Sequence, residues 1–263
     1  MSRPETTAPP EIFYNDEEAK KYTTSTRVQH IQREMTLRAL ELLNPLPSQH
    51  ILDIGCGSGL SGEILTEEGH TWVGMDISVS MLANALDREV EGDMFLADIG
   101  NGIPFRAGSF DCAISISVVQ WLCNADTANS NPELRLHHFF ETLYAALVRG
   151  GKAVMQFYPN DDKQTDMILK AAKTAGFAGG MVVDDPESKK KKKCYLVLTA
   201  GISGQGLNLE GVSADNIIKS KKKSKNDETR KEYIMRKKEI MRKRGKLVAL
   251  DSKFTARKRR PKF

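Results

Sequence analysis

Three glycines at alternate positions, Gly55, Gly57 and Gly59, follow directly on the apolar run Ile51-Leu52-Asp53-Ile54. Glycine reaches positive φ without steric cost and carries no Cβ, so a ligand can lie against the backbone of such a loop. Strand-to-helix glycine loops commonly cradle phosphate at a helix N-terminus. This one differs. Its third glycine comes one residue earlier than in the dinucleotide fingerprint G-x-G-x-x-G, and it lacks the Gly-Lys-Ser/Thr ending of a P-loop. Asp53, two residues before the first glycine, would repel phosphate and hold a cation. Asp76 closes the apolar run Thr71–Asp76, and Asp98 closes the next in Leu96-Ala97-Asp98-Ile99. An acid at the end of the second strand of a doubly wound sheet accepts hydrogen bonds from ribose hydroxyls. A carboxylate at the end of the third can accept from an adenine amine. The implied ligand has ribose, adenine and positive charge but no phosphate, which S-adenosylmethionine satisfies with its sulfonium and ammonium groups. The alternative is that the glycines serve packing alone, as in many tight βα turns. Three acids at three successive strand ends argue against it, because ligands of open α/β sheets bind there.

Five apolar runs bounded by turn residues position these groups: His50–Ile54, Thr71–Asp76, Met94–Ile99, Phe110–Ser117 and Lys152–Tyr158. Helical patterns over Gly59–Glu67, Ser80–Arg88, Glu133–Leu147 and Lys163–Ala175 alternate with or follow them. Such alternation predicts an α/β fold, a parallel sheet covered on both faces. Gly180–Val183 and Cys194–Ala200 leave no room for a helix between them and predict an antiparallel hairpin at the sheet edge. Ahead of the sheet, Val28, Ile31, Met35, Leu37, Leu40 and Leu43 recur at helical spacing. Asn15 or Asp16 can cap that helix, and Asn44-Pro45 ends it. Residues 1–14 are expected to be disordered, 15–200 to form the folded domain, 201–226 a flexible Gly/Ser/Lys-rich linker, and 227–263 a basic extension with a helix over 227–246.

Among the chain's 263 residues, 39 Lys and Arg stand against 34 Asp and Glu, a net charge of +5. Residues 1–212 hold 19 basic and 28 acidic side chains, whereas 213–263 hold 20 and 6. A body at −9 with a tail at +14 predicts a polyanionic partner for the tail. The uncharged stretch Cys112 to Ala125 is too short for a span of roughly 20 apolar residues, so no membrane role is expected. Nor is secretion expected, since the N-terminus lacks an apolar signal region. Four scattered cysteines without a C-x-x-C pair predict neither a disulfide framework nor a zinc site. His137 and His138 are adjacent on a helix and diverge, which makes them poor joint metal ligands.

Over residues 15–200 the pattern resembles class I S-adenosylmethionine-dependent methyltransferases, a Rossmann-like fold with a seven-stranded sheet. Longer strings sharpen the resemblance: Phe13-Tyr14 with Tyr22, the loop Ile54 to Gly62, Gly74-Met75-Asp76-Ile77-Ser78, and Ser117-Val118-Val119-Gln120-Trp121-Leu122-Cys123-Asn124. With the basic C-terminus, they resemble the eukaryotic small-subunit (18S) rRNA guanine-N7 methyltransferases, the family with bud-site-selection and Williams–Beuren region members. The resemblance implies S-adenosylmethionine as methyl donor, a role in small-subunit biogenesis, and a Trm112-type zinc-binding activator as partner. It also implies residence in nucleus and nucleolus, and in the cytoplasm. Carried over by motif, Gly55, Gly57 and Gly59 line the methionine end, with Asp53 toward the ammonium. Asp76 takes the ribose hydroxyls and Ile77 lies beside the adenine. Asp98 and Ile99 flank the adenine edge, and the backbone of Ser115 approaches the methionine portion.

Guanine N7 carries a lone pair and no proton, so its methylation needs alignment and water exclusion rather than a catalytic base. No titrating catalytic residue is expected. Phe13, Tyr14, Tyr22, Gln120, Trp121 and Tyr158 are the substrate-pocket candidates; Trp121 reads equally well as core packing. Aromatic stacking on an unpaired base contributes roughly 1–3 kcal/mol. The tail, with few aromatics, is expected to hold pre-rRNA phosphates without reading sequence, and its Lys/Arg clusters also suit nuclear import. The activator is expected on the edge strand 94–98, with Phe95 and Phe105 buried there. Two rival functions remain: methylation of a small molecule or protein, and a non-catalytic rRNA-binding assembly factor. The glycine spacing and Asp53 disfavour a nucleotide-dependent dehydrogenase.

Overall fold

The computed structural model describes residues 4–125, 130–188, 192–201, 231, 234–235, 238, 242 and 248–252. The chain divides into two compact units, Met1–Asn216 and Ile217–Phe263.

In the first unit a seven-stranded sheet runs in the order β3-β2-β1-β4-β5-β7-β6. The strands are β1 His50–Ile54, β2 Thr71–Asp76, β3 Asp93–Leu96, β4 Phe110–Ile116, β5 Leu147–Phe157, β6 Phe177–Asp184 and β7 Lys193–Ala200. β1 to β5 are mutually parallel; β7 is antiparallel to both β5 and β6. The expected edge hairpin is therefore present. Among the described residues seven helices accompany the sheet: α1 Pro10–Phe13, α2 Asp16–Thr24, α3 Thr26–Leu43, α4 Leu60–Glu67, α5 Val79–Asp87, α6 Pro132–Ala146 and α7 Asp162–Thr174. Alternate side chains of each strand enter opposite cores. Leu52 and Ile54 pack with Phe139, Phe140 and Leu143 of α6 and Ile168 of α7. Ile51 packs on the other face with Met35, Ala39 and Leu43 of α3 and Ile64 and Leu65 of α4. None of the described helices is long and apolar enough to cross a membrane.

Three expectations need correction. The segment expected to be disordered folds from Pro4 onward, with a 3-10 turn at Pro4–Thr6, then α1, and Glu5 buried. The helix read from Asn15 to Leu43 is two helices broken at Ser25, which is extended (ψ 110°) and caps α3 by accepting from Val28 N–H. Ser in mid-helix competes for backbone donors, and here it wins. β3 ends at Leu96, so Asp98 caps the following 3-10 turn Ile99–Asn101 rather than ending a strand.

In the second unit the described residues Lys231, Ile234, Met235, Lys238 and Arg242 are helical. Lys238 Nζ (2.9 Å) and the Arg242 guanidinium both donate to the Asp251 carboxylate. Apart from Gly201, the expected linker 201–226 lies outside the described residues.

Candidate functional site

The glycine loop leaves β1 and is tied to β2: Gly55 and Cys56 both donate to Met75 O, at 2.7 and 3.0 Å. Gly55, Gly57 and Gly59 all have positive φ, at 72, 53 and 76°. Each missing Cβ would meet another side chain of the protein. It would lie 2.2 Å from Val118 at Gly55, 2.8 Å from Met81 at Gly57 and 2.9 Å from Val90 at Gly59. The loop is thus pressed flat against α5 and the chain beyond β4, which leaves its backbone as one wall of a cavity at the C-terminal ends of β1, β2 and β4.

Gly55, Gly57, Asp76, Ile77, Asp98 and Ile99 line that cavity. Asp76 is held between Gly57 N–H on Oδ2 and Ser78 N–H on Oδ1, both at 2.8 Å. Burial pushes its pKa up, against the pull of these backbone donors. Asp98 accepts from Gly100 N–H (2.8 Å) and from Arg135 of α6 at 2.9 and 3.2 Å. Arg135 also lines the cavity.

Asp53, Gly59 and Ser115 do not line it. Gly59 turns the chain into α4 behind the wall. Asp53, 1% exposed, lies beneath Ser61, whose Oγ donates to Oδ2 at 2.6 Å. Its other oxygen, Oδ1, has no hydrogen-bond partner, and burial pushes its pKa up to about 7. Ser115 is buried in the sheet, donating to Ile54 O at 3.0 Å. The residue at the cavity is Ser117, two positions on. Ser117 has φ 64° and is fixed by its N–H to Gln156 O (2.8 Å), its Oγ to Gln156 Oε1 (2.7 Å), and Gln120 Nε2 onto its carbonyl (3.0 Å). A non-glycine residue held left-handed by three bonds is the kind of strain found at functional sites.

A second cavity of about 360 Å³ adjoins the first, within the range of ligand pockets. Tyr14, Tyr22, Gln32, Ser117 and Trp121 line both. Gln120 and Tyr158 line only the second. Phe13 lines neither; it packs on Tyr14 and Trp121, ring centroids 5.0 and 6.1 Å away. Trp121 is therefore both buried packing and wall. Tyr14 and Tyr22 meet edge to face at 5.7 Å, and burial pushes both hydroxyl pKa values far up, so both stay protonated. The N-terminal helices that carry them are latched by Ser78 Oγ donating to Tyr14 O at 2.8 Å. Sequence reasoning missed Glu5, Gln32, Ser117 and Arg135.

At the other expected site, edge strand β3 pairs only with β2. In the chain alone Phe95 is 46% and Leu96 59% exposed, and Phe105 is partly buried with its ring edge to face against Phe95 at 5.5 Å. His137 and His138 are exposed on α6.

The residues fit S-adenosylmethionine. A carboxylate stands in the cavity wall, a buried carboxylate oxygen lacks a partner behind it, and the loop bears no cation that would mark a phosphate site.

Comparison with known proteins bears on the same region. Residues 52–155 match the methyltransferase domain family, and residues 186–261 match the family described as "Methyltransferase involved in Williams-Beuren syndrome". The chain is 64% identical over 275 residues to the 18S rRNA (guanine(1575)-N(7))-methyltransferase of Saccharomyces cerevisiae, covering 100% of both. It is 50% identical over 276 residues to the 18S rRNA (guanine-N(7))-methyltransferase of Mus musculus, covering 99% of this chain and 98% of the mouse protein. Among solved structures it is similar to a chain of the complex between the Haloferax volcanii Trm112 methyltransferase activator and a methyltransferase. That match has a TM-score of 0.55 at 16% identity, over 76% of this chain and 100% of that one. At such identity the likeness concerns the fold.

Proposed function

This chain belongs to the 18S rRNA (guanine-N7)-methyltransferase family, and we infer that it methylates N7 of a guanine in small-subunit rRNA and serves small-subunit biogenesis. S-adenosylmethionine is the methyl donor; when bound, it supplies an electrophilic methyl group on sulfonium. The observation that carries the reading is the pair of joined cavities. One is lined by ribose- and adenine-suited acids, the other walled by Tyr14, Tyr22, Trp121 and Tyr158.

The chain's own residues would hold and orient. Asp76 is preset by two backbone donors to accept ribose hydroxyls. Asp98 is steadied by Arg135 at the adenine side. Asp53 presents negative charge behind the glycine loop toward the ammonium. Aromatic rings would clamp an unpaired guanine and exclude water. Among the described residues, neither cavity is lined by a histidine or a lysine. That suits N7, which surrenders no proton, and the work is alignment.

A Trm112-type zinc-binding activator is the proposed partner, adding to the free edge of β3 where Phe95 and Leu96 are exposed. The likeness in fold to a methyltransferase solved with such an activator supports this. The basic tail would anchor pre-rRNA, and its charge suits residence in nucleus and nucleolus, with passage to the cytoplasm. The test is a map of N7-methylguanosine in small-subunit rRNA from cells with and without this protein. A signal lost at one guanine and restored by the wild-type chain is expected. Unchanged methylation at every site would sink the substrate; loss of the methyl mark with intact subunit assembly would separate catalysis from a scaffold role.

A further inference from the structure

Guanine presents N7 on one edge and the donors N1–H and N2–H on the opposite edge. A base seated with N7 at the boundary of the two cavities therefore turns its Watson–Crick edge to the far wall of the second. That wall needs hydrogen-bond acceptors.

Glu5 is the one carboxylate among the described residues lining the second cavity, and it does not line the first. It is 7% exposed. Its place is built: Asn124 Nδ2 donates to Glu5 O at 2.7 Å. Asn124 directly follows the 3-10 turn Val119–Cys123, which carries Gln120 and Trp121. The turn that supplies one aromatic wall thus also fixes the N-terminal segment. Two further polar side chains line the second cavity alone. Gln120 gives its amide N–H to Ser117 O and keeps one neutral acceptor, Oε1; Tyr158 Oη donates to Met35 Sδ.

We propose that Glu5 is a specificity-determining residue, its carboxylate accepting N1–H and N2–H of the target guanine. This rests on the guanine-N7 reading above. The chemistry selects. A carboxylate offers two acceptors matched to the two adjacent guanine donors. Adenine N1 and cytosine N3 are acceptors and would meet it lone pair to lone pair. Uracil offers a single donor.

The test uses the full chain with its activator, labelled S-adenosylmethionine, and a small-subunit rRNA fragment carrying guanosine or inosine at the target. Inosine keeps N7, O6 and N1–H and lacks N2–H. Wild type should favour guanosine over inosine by about tenfold in kcat/KM, the loss of one hydrogen bond to a charged group. In Glu5→Gln, transfer to guanosine should fall about tenfold, and the preference over inosine should shrink toward unity. S-adenosylmethionine affinity should change less than about twofold, since Glu5 lies outside that cavity. Glu5→Gln with the wild-type guanosine-to-inosine ratio would overturn the proposal, as would a loss of cofactor affinity equal to the loss of turnover. Failure of wild type to methylate guanosine N7 would sink the underlying reading instead.

Discussion

Cofactor affinity should depend on pH through Asp53. Burial places its pKa at about 7, and Oδ1 lacks a partner. A bound ammonium favours the ionised carboxylate, so the bound pKa falls, and affinity is full above about pH 7 and weakens below it. With a pKa of about 7, roughly one Asp53 in eleven is ionised at pH 6 and about three in four at pH 7.5. An α-amino group, with a pKa of about 7.7–8.0, stays mostly protonated over that range. The dissociation constant should therefore rise about five- to eightfold from pH 7.5 to pH 6. Calorimetry with S-adenosylmethionine measures this directly. Methylthioadenosine, which keeps adenine and ribose but lacks the amino acid, should show no slope, and Asp53→Asn should abolish the slope for the whole cofactor. A flat profile for S-adenosylmethionine, or an equal slope for methylthioadenosine, refutes the assignment. The same shift acts on the unliganded fold. A carboxyl whose folded pKa stands above its unfolded value of 3.8 contributes stability that is present below about pH 4 and lost as pH rises through about 7. About three pKa units correspond to about 4 kcal/mol, so Asp53→Asn should raise the thermal midpoint of the unliganded protein at neutral pH while weakening cofactor binding.

Arg135→Met should weaken S-adenosylhomocysteine binding about tenfold by releasing Asp98, and Gly100→Ala should do likewise. Its Cβ would lie 2.3 Å from Arg135 Nε, so an unaffected Gly100→Ala protein would remove Arg135 from the site. Leu96→Lys with Phe95→Glu on the β3 edge should abolish co-purification with a Trm112-type protein; undiminished recovery would move the interface elsewhere. Deleting residues 217–263 should leave cofactor affinity unchanged and weaken rRNA binding. The log–log salt slope should flatten by about 0.7–0.9 for each phosphate that the tail no longer neutralises, and an unchanged slope would deny the tail its phosphates.

What was legible depended on whether the determinant was local. β1, β2 and β4 are apolar runs closed by turn residues, and Asp76 falls at a strand end that composition alone marks. Ser117 was not legible. Its left-handed backbone is imposed by Gln156, 39 residues on, and serine gives no local sign of positive φ. Counting to Ser115 instead picks the same face of the strand one pleat too early. Glu5 was hidden for a related reason. A Pro/Thr-rich stretch with no apolar period shows no local sign of order, and the residue that fixes it, Asn124, lies 119 positions away. Arg135 likewise meets Asp98 across 37 residues.

The glycine triplet shows how a correct inference can stand on the wrong support. Read alone, Gly55, Gly57 and Gly59 suggest space vacated for a ligand. In the fold, the space under each is filled by Val118, Met81 or Val90, so the packing explanation holds for every missing Cβ. The loop still serves the ligand, because this packing draws it close to β2. Gly57 N–H then fixes Asp76 from one side and Ser78 N–H from the other. The glycines act on the cofactor through the carboxylate they help to aim. A Gly55→Ala chain should therefore fail through collision with Val118, and Val118→Ala in the same chain should restore part of the loss. The remainder, about 1–2 kcal/mol for an L-residue at positive φ, should persist in the thermal midpoint of the double variant. If Val118→Ala restores nothing in stability or in cofactor affinity, the missing Cβ serves the ligand after all.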